Sequence, residues 1–193
     1  MSIFIVDDTA SQRLRLSALL KSEGYNDLVS LASAEEAFER LGLDTPGADG
    51  AGVDVILMDI SMPDMDGIEA CRRIKAIQGL RDIPILMVTG STEAEELDLA
   101  VAAGAMDYIS KPVSKSEMLP RLRTALQLRQ AIEARKQGER QLAQVMAQVE
   151  TLSQAVAAAR EGPFDPTTLA GIATQPGAVA RLAGLLQLLL ATR

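Results

Sequence analysis

The sequence predicts an α/β fold: a doubly wound sheet of five parallel strands with helices on both faces. Two observations predict it. First, short strand-like apolar runs alternate with helical patterns through about the first 125 residues, which is the pattern of βαβ units. Second, four of those runs stop abruptly at polar side chains. Ile3-Phe4-Ile5-Val6 meets Asp7-Asp8, Val53 to Met58 meets Asp59, Ile85-Leu86-Met87-Val88 meets Thr89, and Tyr108-Ile109-Ser110 meets Lys111-Pro112. Ligands of open parallel sheets bind at the carboxyl ends of the strands. Those ends here collect an acidic pair, a lone aspartate, a hydroxyl and a lysine.

The elements follow in order. After Asp8, Leu14, Leu16, Ala18, Leu19 and Leu20 supply an apolar helix face that ends near Gly24. Leu28-Val29-Ser30-Leu31 is the second strand. Ser33-Ala34-Glu35-Glu36 opens a short helix, with Ser33 as N-cap and acids in the first turn. Residues 43–52, rich in Gly, Asp and Pro, form a loop. Gly67 to Ile77 is the third helix and Thr92 to Ala103 the fourth. Between Asp59 and the third helix, Met62-Pro63 and Asp66-Gly67 shape the loop. Proline fixes the turn, and Gly67 permits a backbone that other residues resist.

The fifth helix does not stop where a small domain would end it. Ser114-Lys115-Ser116-Glu117 is a capping-box pattern, and no terminator follows until Gly162-Pro163. Ser114 to Arg160 is 47 residues, roughly 70 Å if continuous. Pro120 predicts a kink near its start. Leu142, Val145, Val149, Leu152, Val156 and Ala159 alternate in steps of three and four, the pattern of a coiled-coil seam. Ala125, Leu128, Ile132 and Arg135 hold a different phase, and Gly138 marks the break between them. Two readings fit this helix: an intermolecular coiled coil, or an amphipathic helix folded back on its own domain. The seam is longer than one small domain covers, which favours the first. Phe164 to Arg193 carries turn signals at Asp165-Pro166 and Gln175-Pro176-Gly177, then a strongly apolar helix that needs a partner surface.

Composition narrows the function classes. The chain has no histidine, which excludes a histidine-based triad, a histidine metal site and a phosphohistidine relay within it. Its one cysteine, Cys71, cannot make an internal disulfide and fits a packing role. No apolar run is long enough to span a bilayer, and the N-terminus lacks the basic start of a secretory signal, so the expectation is a cytoplasmic protein without membrane contact. Through Met118 there are 21 acids and 10 Lys+Arg, a balance of −11; from Leu119 onward there are 5 and 9, a balance of +4. An acidic body argues against nonspecific nucleic-acid binding.

The four strand ends together resemble the receiver domain of bacterial two-component response regulators, over about residues 1–128. Each element alone has a bland explanation: Asp7-Asp8 as a helix cap, Thr89 as a strand residue, Lys111 as a solvent lysine. The combination is specific. The resemblance implies a flavodoxin-like sheet in the order 2-1-3-4-5 and a phosphoryl group carried on Asp59. It implies Mg²⁺ bound directly by Asp8, Asp59 and the Ser61 backbone carbonyl, with Asp7 acting indirectly. Lys111 becomes the counter-charge, before a cis Lys111–Pro112 bond. Thr89 and Tyr108 become the switch pair, although Tyr108 also fits a static core residue. One departure is Gly90, where the family most often carries alanine; it leaves room for the phosphoryl group and loosens the following loop.

The resulting expectation is a receiver domain over 1–125, a coiled-coil helix over 126–160 and a short helical segment over 161–193. A histidine kinase or phosphotransfer protein supplies the phosphoryl group. The chain is then a phosphoacceptor rather than an enzyme with a separate substrate. Output runs through a homodimer at 126–160 and an unidentified downstream protein. The alternative is the receiver-plus-stalk part of a larger regulator with an enzymatic output domain, such as a diguanylate cyclase or phosphatase. A DNA-binding role is disfavoured, because no helix-turn-helix with a basic recognition helix follows the receiver.

Overall fold

The computed structural model describes residues 1–161, apart from 46, 48, 51 and 91–93, together with Gly184; side chains are described through residue 154. The expected apolar helix of the C-terminal segment, and Val156 and Ala159 of the seam, lie outside the described side chains. The chain divides into two compact units, Met1–Glu133 and Ala134–Arg193.

The first unit holds β1 (Ser2–Val6), α1 (Ala10–Ser22), β2 (Asp27–Leu31), α2 (Ala34–Leu41), β3 (Val55–Asp59), α3 (Gly67–Ala76), β4 (Ile85–Thr89), α4 (Ala94–Ala102) and β5 (Asp107–Ser110). A tenth element, α5 (Lys115–Glu161), begins there and crosses into the second unit. The five strands form one sheet in the order β2-β1-β3-β4-β5, every pairing parallel. This is the expected doubly wound order.

Strand alternation divides the core into two layers. Phe4, Val6, Ile56, Met58, Ile85 and Met87 face α2, α3 and α4. Ile3, Ile5, Val55, Leu57, Leu86, Val88 and Ile109 face α1 and α5, where Leu16, Leu20, Met118 and Leu122 meet them. β1, β3 and β4 are buried along their full lengths, so no position in these three strands is free to carry a charge except at the carboxyl end. Truncating a residue such as Leu57 to alanine would cost about 2–5 kcal/mol.

Local signals hold with two corrections. Ser33 caps α2 by accepting from the Glu36 N–H (3.2 Å), while the Glu36 carboxylate accepts from the Ala32 N–H (2.7 Å). In α1 only Leu16 and Leu20 are buried; Leu14 and Ala18, read from the sequence as core, face solvent. Both lie two residues from a buried position, about 200° around the helix axis. The Ser114 box is half made: Ser114 Oγ accepts from the Glu117 N–H (3.3 Å), but the Glu117 carboxylate instead takes the Ser110 N–H (3.1 Å). α5 runs through Pro120. The carbonyl that Pro120 leaves without its usual donor belongs to Ser116, an exposed residue where water can replace the missing N–H.

In the second unit, Leu142, Val145, Met146 and Val149 of α5 are exposed, whereas Leu152 is buried.

Candidate functional site

Parallel register sets four chain ends side by side. β1 ends at Val6 beside Met58, so Asp7 follows directly and Asp59 closes β3 one residue on. Asp59 pairs with Val88, which brings Thr89 to the neighbouring strand end, and Thr89 pairs with Ser110. The Lys111 N–H then donates to the Thr89 carbonyl (2.7 Å), carrying the lysine into the cluster. The Lys111–Pro112 peptide bond is cis.

Carboxylate oxygens of Asp7, Asp8 and Asp59 all lie within 4.8 Å of one another. Lys111 Nζ bridges two of them, at 2.7 Å from Asp59 Oδ2 and 3.1 Å from Asp7 Oδ2. The three acids differ in their surroundings. Asp7 is 1% exposed, and its second oxygen accepts from the Thr9 N–H (2.8 Å). Asp59 is 2% exposed and accepts from the Ser61 N–H (3.3 Å). Asp8 is exposed and accepts from the Thr9 hydroxyl (3.1 Å).

Burial pushes the Asp59 carboxyl above the usual carboxylate range. The Lys111 hydrogen bond and charge oppose that shift, and the nearby Asp7 charge reinforces it. The site is therefore short of positive charge: one ammonium faces three carboxylates. An all-oxygen donor set with a solvent-facing member suits a hard divalent cation such as Mg²⁺, which takes oxygen ligands and keeps several waters.

Gly67 supports the acceptor for a reason the sequence reading missed. Its φ is not in the left-handed region; the positive-φ position in this loop is Asp64, at 62°. Glycine is required because a Cβ there would run into the Asp59 carbonyl oxygen. The loop closes through the Gly67 N–H donating to the Ile60 carbonyl (2.9 Å), and Asp66 caps α3 by accepting from the Glu69 N–H (2.7 Å). Among the described residues, no atom outside its chain neighbours lies within 4 Å of a Cβ placed on Gly90.

Tyr108 is half-buried, with the Arg121 guanidinium 6.0 Å from its ring centroid. Arg121 also pairs with Asp107 (3.1 Å). Two further groups belong to the site although no sequence signal singled them out. Arg13 of α1 donates to the carbonyls of Asp7 (2.6 Å) and Asp8 (3.0 Å), and Glu96 of α4 accepts from the Thr89 hydroxyl (3.4 Å). Their partners are backbone and hydroxyl atoms brought close only by folding. A groove of about 290 Å³ runs beside the cluster, between α1 and Lys111-Pro112-Val113.

Cys71 lies on the buried face of α3, and burial pushes its thiol up to about 11. It stays protonated, as a packing residue should.

Comparison with known proteins agrees with the fold. The two-component response regulator ORR1 of Oryza sativa subsp. japonica is 35% identical over 119 residues, 60% of this chain and 51% of that protein. The DNA-binding response regulator MtrA of Mycobacterium tuberculosis is 33% identical over 124 residues, 64% of this chain and 50% of that protein. The chain thus spans about half the length of the curated relatives it matches. Among solved structures, the chemotaxis protein CheY4 of Vibrio cholerae aligns with a TM-score of 0.57 and 30% identity, covering 65% of this chain and 98% of that one. A putative response regulator from Chloroflexus aurantiacus aligns with a TM-score of 0.57 and 29% identity, covering 65% and 96%. The family model of the response regulator receiver domain matches residues 3–123, a span that includes β1 from Ile3 onward, the other four strands, the three clustered carboxylates, Thr89 and Lys111, and the chain belongs to that family.

Proposed function

We propose that this chain is a response regulator that accepts a phosphoryl group on Asp59 from a histidine kinase or a phosphotransfer protein. The observation that carries the reading is the Lys111 ammonium bridging Asp59 and Asp7 at the edge of a three-carboxylate cluster. An Asp59 oxygen attacks phosphorus, the phosphorus–nitrogen bond of the donor phosphohistidine breaks, and the imidazole nitrogen keeps the electron pair. Lys111 is the cation positioned to balance the incoming phosphoryl oxygens.

Asp8, Asp59 and the Ser61 carbonyl are the residues that would hold Mg²⁺. Asp7, already committed to Lys111 and the Thr9 N–H, would act through the ligand shell. The bound ion would supply charge neutralisation between the acceptor and the transferred group. The groove between α1 and Lys111-Pro112-Val113, with solvent-facing Leu14 on the same helix, suits the docking of the phosphoryl donor. Thr89 and Tyr108 form the switch, and the protein acts as a phosphoacceptor that assists its own phosphorylation and dephosphorylation.

Output in this reading runs through residues 126–160 as a homodimeric coiled coil and onward to a downstream protein, with 1–125 as receiver and 161–193 as an accessory helical segment. The exposed row Leu142, Val145 and Val149 supports it. No helix among the described residues is long and apolar enough to cross a membrane, which accords with a cytoplasmic site of action. The receiver-plus-stalk part of a larger regulator with an enzymatic output domain is the second reading, favoured by α5 running on from the receiver as one long helix, Lys115–Glu161.

The test is labelling by acetyl phosphate with and without Mg²⁺. Wild type should acquire one acid-stable, base-labile phosphoryl group only with the ion, and Asp59→Asn none. Persistent labelling of Asp59→Asn sinks the assignment.

A further inference from the structure

Thr89 is almost completely buried at the end of β4, and its backbone is held in place by the Lys111 N–H on its carbonyl (2.7 Å). Its side-chain hydroxyl, which can turn about a single torsion, donates to Glu96 Oε2 at 3.4 Å. Glu96 stands in the first turn of α4.

A threonine hydroxyl carries one hydrogen, whereas a lysine ammonium carries three. Lys111 already serves Asp59 and Asp7 and retains a hydrogen for a third acceptor. Thr89 has no such reserve. It can give its hydrogen to Glu96 or to a phosphoryl oxygen on Asp59, never to both.

We propose that Glu96 is a positioning residue of this site, whose carboxylate holds the Thr89 hydroxyl toward α4 until a phosphoryl group on Asp59 takes the hydrogen and releases the first turn of that helix. The proposal rests on Asp59 being the phosphoacceptor. Glu96 thereby opposes phosphoryl capture and couples it to α4, the two effects having one origin. A purely electrostatic role for Glu96 would also oppose capture, but without needing the hydroxyl.

The experiment is a double-mutant cycle on the full chain. Binding of beryllofluoride, an acyl-phosphate mimic, is titrated by ¹⁹F NMR with Mg²⁺ in wild type, Glu96→Ala, Thr89→Val and the double variant. Glu96→Ala should tighten binding about fivefold, in keeping with the loss of one modest hydrogen bond, and should change it little in the Thr89→Val background. Equal tightening in both backgrounds, or none in either, overturns the proposal. Amide hydrogen exchange supplies a second readout. Exchange in residues 98–101, whose amides the first-turn carbonyls of α4 accept from, should quicken when wild type binds beryllofluoride, and should already be quick in unliganded Glu96→Ala and in Glu96→Gln to a smaller degree. Unchanged exchange in wild type overturns the release of α4. Should wild type itself fail to bind beryllofluoride while Mg²⁺ still binds, the phosphoacceptor reading falls first, and this one with it.

Discussion

A methyl group placed on Gly67 would land on the backbone carbonyl oxygen of Asp59. The helix that follows the acceptor loop is therefore packed against the acceptor's own peptide unit, with no slack between them. Neither partner is a flexible side-chain tip, so one backbone must move. Gly67→Ala should destabilise the first unit by about 2–4 kcal/mol and slow acetyl-phosphate labelling even where the variant remains folded. Urea unfolding and labelling kinetics measure the two effects. A variant of wild-type stability would mean that the loop yields freely, contrary to the contact.

The raised pKa of Asp59 fixes the sign of a pH effect. Burial, the largest cause, makes the folded protein hold this proton to higher pH than the unfolded chain does. Stability contributed by the group is thus greatest in acid, falls as pH rises past the unfolded value of about 3.9, and levels off above the folded one. The neutral amide of Asp59→Asn carries no such burden, and Lys111 keeps Asp7 as partner. Without Mg²⁺, Asp59→Asn should match wild type near pH 3 and exceed it at pH 7 by on the order of 1 kcal/mol. Adding Mg²⁺ should close the gap by stabilising wild type alone. An advantage independent of pH would mean that something other than the buried charge is responsible.

The sheet and the polar cluster were legible because both rest on local signals. Apolar strands that stop at a charged residue announce their own carboxyl ends, and a parallel sheet must bring such ends together. What escaped depends on three-dimensional proximity. The reading of Leu14 and Ala18 as core failed because an apolar residue on a helix does not declare which stripe faces the sheet. Gly67 was recognised, but for backbone freedom instead of the steric fit to Asp59. Arg13 and Glu96 were invisible, since nothing in a surface arginine or a first-turn glutamate names a carbonyl or hydroxyl as its partner. Gly90, by contrast, was noted as a departure from the family, and among the described residues it has open space around it.

That open space makes Gly90→Ala a clean probe of the loop into α4. Among the described residues the new methyl group meets nothing within 4 Å, and the backbone is not in the left-handed region. The substitution should therefore raise stability by about 0.4–1 kcal/mol, chiefly by restricting the unfolded chain. If the glycine loosens the loop, the phosphorylated half-life should change too. Thermal unfolding and decay of the labelled protein would report each effect, and a destabilised Gly90→Ala would contradict the space seen here.

The exposed seam gives the last prediction. Leu142, Val145 and Val149 are 63%, 39% and 46% exposed, an apolar row at coiled-coil spacing. With Leu142 and Val149 at a positions and Val145 at d, the flanking g positions are Gln141 and Gln148, and the e positions are Met146 and Ser153. No like charges face one another when two identical helices pair in parallel, so a second copy fits the row without repulsion. Light scattering should give about twice the 20.5 kDa chain mass, with little dependence on salt because the flanks are uncharged. Leu142→Asp and Val149→Asp should each yield monomer. Leu152→Asp is the poorer probe, since Leu152 is already buried within the single chain and a charge there would disturb the monomer as well. A wild-type mass of one chain would remove the dimer and leave the amphipathic helix as a single-chain feature.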